Sequence, residues 1–66
     1  MIVVNPYGAL IADVRHDEVI AVVVSPTVTR YDYYLTDSVG SRQVLCHVTV
    51  TNDSSGNFQS AKRANP

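Results

Sequence analysis

The chain predicts an all-β fold: a small five-stranded antiparallel barrel or sandwich, SH3-like or OB-like in size, with an extended C-terminal arm. Three observations predict it. Every periodic segment has the period of a strand and none that of a helix. Turn-forming clusters recur at intervals of about ten residues up to residue 51. Residues 19–24, Val-Ile-Ala-Val-Val-Val, form an unbroken apolar run, and a strand with such a run has two faces that both need cover.

The elements follow in order. Residues 2–4 are a short apolar strand, closed by Asn5-Pro6-Tyr7-Gly8, whose Asn at i, Pro at i+1 and Gly at i+3 suit a type I turn. A second strand is expected over residues 9–15. Arg15-His16-Asp17-Glu18 is a polar interruption before the third strand, the apolar run, which Ser25-Pro26 ends. Residues 27–35, Thr-Val-Thr-Arg-Tyr-Asp-Tyr-Tyr-Leu, are the fourth. Thr27, Thr29, Tyr31, Tyr33 and Leu35 fall on one face, the better candidate for burial, and Val28, Arg30, Asp32 and Tyr34 on the other. Residues 36–41 are a loop by composition. Residues 42–51 are the fifth strand, with Val44, Cys46, Val48 and Val50 alternating with Leu45, His47, Thr49 and Thr51. Residues 1–51 thus make a small β domain and residues 52–66 an extended polar arm, a mobile tail by composition unless a neighbouring subunit holds it, with Phe58 as anchor and Lys62 and Arg63 as charged contacts.

Sixty-six residues allow one domain with a small core. Below about 70–80 residues a single core rarely supplies more than about 3–5 kcal/mol, and small natural domains add disulfides, a metal or oligomerisation. Cys46 is the only cysteine, so an intrachain disulfide is excluded and oligomerisation or docking is the expected prop. Five Lys and Arg against six Asp and Glu give a net charge of −1, which disfavours general binding to nucleic acid or an acidic membrane. The start of the chain lacks a basic n-region, and its longest apolar run is six residues against roughly 20 for a membrane span. Synthesis in a cytoplasm is therefore expected, and the sequon Asn52-Asp53-Ser54 reads as accidental.

Candidate chemistry is sparse. Cys46 and His47 are adjacent, and adjacent strand residues point to opposite faces, so a nucleophile–base pair would need a bulge; Cys46 reads as a buried apolar residue and His47 as a surface or interface residue. His16, Asp17 and Glu18 read as a solvated turn. No ligand spacing for zinc occurs, so no metal or cofactor is expected. Gly8, Gly40 and Gly56 are isolated and make no phosphate loop, and nothing brings Asp13, Asp32 and Asp37 together. Tyr31 and Tyr33, with Arg30 beside them, have the spacing of stacking aromatics on nucleic-acid-binding sheets, and this is the best such signal in the chain.

The expected function is structural rather than enzymatic: a module that docks by its apolar strand faces and its arm onto copies of itself or a larger protein lattice, with Val22, Val23, Tyr31, Tyr33, Phe58, Lys62 and Arg63 at the interface. In type and composition the chain is similar to small virion accessory proteins, such as the decoration or cement proteins of bacteriophage capsids, which are short, β-rich, free of disulfides and armed with an extended terminus. That similarity implies a place in the virion. The alternatives are a small barrel that binds single-stranded nucleic acid through Tyr31, Tyr33 and Arg30, and a small inhibitor or adaptor that adds a strand to a partner's sheet.

Overall fold

The β-branched runs in the middle of the chain form strands in the computed structural model, which describes residues 8–66. A short 3-10 turn, Gly8–Ile11, precedes β1 (Glu18–Ser25), β2 (Val28–Thr36), β3 (Arg42–Asn52) and β4 (Phe58–Ala64). The four strands pair antiparallel in the order β1-β2-β3-β4, giving one open meander.

Register assigns the faces. The rows Val19–Tyr33–Cys46 and Ala21–Tyr31–Val48–Arg63 lie on one face, here called inner. The rows Ile20–Asp32–His47–Ala64 and Val22–Arg30–Thr49–Lys62 lie on the outer face. The inner face holds the core, in which Tyr33, Cys46, Val48 and Val50 are buried. Leu10, Ile11 and Val14 pack against it, with Tyr31 and Ala61 at its margins. The segment that carries them is fastened at two points. Arg63 donates to the Leu10 carbonyl at 3.0 Å and to Asp13 at 2.9 Å, and His16 meets the Tyr33 ring edge-on at 4.9 Å.

Two of the three hairpin connections share one construction. Asp37 Oδ1 accepts from the amides of Val39 and Ser41, and Asp53 Oδ1 accepts from those of Ser55 and Asn57, all at 2.9–3.0 Å. Each loop then passes through a glycine with positive φ, +87° at Gly40 and +86° at Gly56, a backbone state that a side chain would strain. The Asn57 amide, helped by those of Ser55 and Gly56, holds the Asp53 carboxyl below its ordinary value.

Several expectations are corrected. The sheet has four described strands rather than five and is not closed, because β1 and β4 stay at opposite edges. Residues 2–4 and the turn starting at Asn5 lie outside the described residues, apart from Gly8. Residues 9–15 do not form a strand. The spacing of Leu10, Ile11 and Val14 puts three apolar side chains on the core from a 3-10 turn and the irregular chain after it. The polar residues 52–66 are not a separate arm. Phe58–Ala64 completes the sheet, and its polar composition fits an edge strand that packs Ala61 against the core and sets Arg63 opposite Val48. Finally, the register shifts between Tyr33 and Tyr34, so that Tyr34 pairs with Val44 and Leu45 is the extra residue. That bulge removes Val44 from the row of Cys46, Val48 and Val50.

Candidate docking surface

β1 is an edge strand, paired with β2 and with no other described strand. The 3-10 turn and the chain after it cover the face of β2–β4 and leave the inner face of β1 open. Val19 is 42% exposed and Val23 76%, while Val24, at the bulge that ends the regular ladder, is 59% exposed. On the outer face Ile20 and Val22 are half-buried. Residues 19–24 therefore keep much of the apolar surface that the sequence said should be covered. A long, uncharged, apolar edge is a template for pairing with another strand.

The opposite edge is different in kind. β4 carries Lys62 and Arg63, and Lys is the residue most used to blunt an edge. Phe58, at the start of β4 opposite Asn52, is 44% exposed, so the proposed anchor is presented to solvent. Arg63 is not a free contact, since its guanidinium is taken by Leu10 and Asp13. Tyr33, only 2% exposed, belongs to the core, and Tyr31 packs against it. Tyr33 thus lies in the core, on the face of residues 27–35 expected to be the buried one, and offers little surface to an interface or a stacked base. Arg30 faces the other side of the sheet, so the trio proposed for nucleic acid is divided between two faces.

The outer face contains a polar centre that sequence reasoning did not assemble. Asp32 is 5% exposed and accepts from three donors: Arg30 Nε at 2.9 Å, Arg30 Nη2 at 3.3 Å and His47 Nδ1 at 2.6 Å. Burial pushes the Asp32 carboxyl up, but the hydrogen bonds from His47 and Arg30 outweigh it and hold the group below its ordinary value. Arg30 and Asp32 were legible as an i, i+2 pair on one face. His47 joins them because the register places it directly opposite Asp32. Glu18 and Arg42 form an ion pair at the other end of the sheet, where Arg42 also lies over the Tyr34 ring at 4.6 Å. Asp17 caps the same end, accepting from the Thr36 amide at 3.0 Å while its own amide donates to the Tyr34 carbonyl.

Among the described residues no cavity is found, and no group of three or more His, Cys, Asp or Glu is gathered as a metal would need. Cys46 is fully buried and His47 points to the opposite face. No described helix is long and apolar enough to cross a membrane. No family model, curated protein or solved structure matches the chain. The most distinctive part of the described surface is the uncovered β1 strand.

Proposed function

We propose that the chain is a structural component that docks its exposed apolar strand onto copies of itself or a larger protein lattice, and that it carries out no catalysis. The observation behind this reading is the exposure of Val19, Val23 and Val24 along an edge strand with no charge after Glu18. Among the described residues four apolar side chains are buried in the core, a thin source of stability, so surface burial against a partner has much to add. A small virion accessory protein of the capsid decoration or cement kind fits this description, and the virion would then be its working location.

The same edge supports a second reading, an adaptor or inhibitor that extends the sheet of one defined partner by strand addition. Sedimentation of gently opened cells that make the protein separates the two. A lattice component travels in a large symmetric particle, an adaptor in a complex of fixed composition with one partner. Recovery only as a free single chain would sink both.

A further inference from the structure

We propose that β1 pairs antiparallel with β1 of a second copy about a two-fold axis through Ala21, joining two four-stranded sheets into one of eight strands. The inference deepens the docking reading above, on which it rests, by naming the partner and the register. An antiparallel pair related by a two-fold axis must be centred on a residue facing its own copy, and such pairing keeps inner face beside inner face. Three centres are available within the apolar run, and the structure discriminates among them. Centring on Ile20 sets Glu18, already committed to Arg42, against Val22 of the second copy. Centring on Val22 runs the ladder into the bulge at Val24. Centring on Ala21 sets Val19 against Val23 and Ile20 against Val22, five rows without a charge or an irregularity, and meets Glu18 and the bulged Val24 only in the two rows beyond them, whereas either other centre gives three such rows.

Of the two edges a second copy could offer, the charges favour β1 over β4, and the apolar run matches itself row by row. No like charges meet along the shared ladder, whereas joining β1 to β4 of another copy would bring Lys62 and Arg63 alongside the valines. The pairing also sets the 76% exposed Val23 beside the 42% exposed Val19 of its partner on the inner face, the side of β1 that the described residues leave open.

The test is sedimentation velocity on the purified full chain and two variants, each checked for strand content by circular dichroism. The pairing predicts a concentration-dependent dimer for the native chain. Val23→Lys, at a position exposed in the single chain, should weaken that dimer at least tenfold with the strand signal kept. Ala21→Cys should give a disulfide-linked dimer on mild oxidation, since Cys46 is fully buried and does not compete. A native chain that stays single at every concentration overturns the proposal, and so does a dimer that resists Val23→Lys or that Ala21→Cys fails to cross-link. A single chain that dimerises only after removal of residues 1–4 also overturns it, by showing that the chain's own start occupies the edge. None of these failures touches the docking reading, which falls only if the protein in its own cells is in no assembly.

Discussion

Replacing Asp32 with Ala should destabilise the chain by about 2 kcal/mol at neutral pH. The side chain is nearly inaccessible and accepts charge-assisted hydrogen bonds from two residues, Arg30 and His47. Such bonds contribute about 1.5–3 kcal/mol each when fully buried. Both donors keep contact with water, with 42% of the Arg30 side chain and 30% of that of His47 exposed, so each recovers part of its loss by resolvation. Two bonds at the discounted low end, less the cost of burying the carboxylate, leave about 2 kcal/mol. In a domain this small that is a large share of the total and corresponds to roughly 8–16 °C in Tm. The pH dependence has a definite sign. The folded-state carboxyl sits below its unfolded value, so the contribution is complete above about pH 4 and is lost as pH falls through the folded value. Urea titrations followed by circular dichroism at pH 7 and at about pH 3 test this, since the gap between native chain and variant should narrow on acidification. A gap below about 0.5 kcal/mol at pH 7, or one that does not narrow in acid, would refute the reasoning.

Other expectations follow from the packing. Val48→Ala empties space beside a residue with no exposure and should cost about 2–3 kcal/mol in chemical denaturation, whereas Val39→Ala, at an 85% exposed loop tip, should be neutral. Gly56→Ala should cost about 1–2 kcal/mol from backbone strain alone, because a Cβ there meets no atom within 4 Å, and Gly56→Asn should cost less. Deleting residues 54–66 removes β4 and the Arg63 clasp over Leu10 and Asp13, so the truncated chain should lose cooperative melting rather than merely a docking arm. Phe58→Ala should leave melting of the single chain nearly unchanged, yet weaken attachment by roughly 1–3 kcal/mol in a binding titration if the ring seats in a partner's pocket.

The strands β1, β2 and β3 were legible to within a residue or two, because long β-branched runs bounded by Ser-Pro or Gly-Ser clusters leave few other readings. β4 was not. Its regular ladder sets only Ala61 and Arg63 opposite the core residues Val50 and Val48, so no apolar alternation marks it, and composition alone read it as a tail. A signal was nevertheless present. Asp37-Ser-Val-Gly-Ser and Asp53-Ser-Ser-Gly-Asn are two copies of one hairpin loop, and recognising the second would have required a strand after it. The segment from Ala9 to Arg15 was misread because three large apolar residues in seven fit a strand as readily as a turn, and only the core face of β3 that they cover decides which. The sequence shows Asp32 beside Arg30 on one strand face but not the His47 that pairing sets opposite it, information that lies in the register rather than in either strand.

The claim on which the account depends is that the working protein covers both faces and the free edge of residues 19–24. Amide hydrogen exchange measured residue by residue, on the highest-mass form recovered from cells that make the protein, tests it most directly. The account predicts slow exchange at every amide from Val19 to Val23, including the alternate ones that β2 cannot reach. Fast exchange at those alternate amides, in a form that otherwise retains protected β2 and β3, would show the edge open to water and contradict the account.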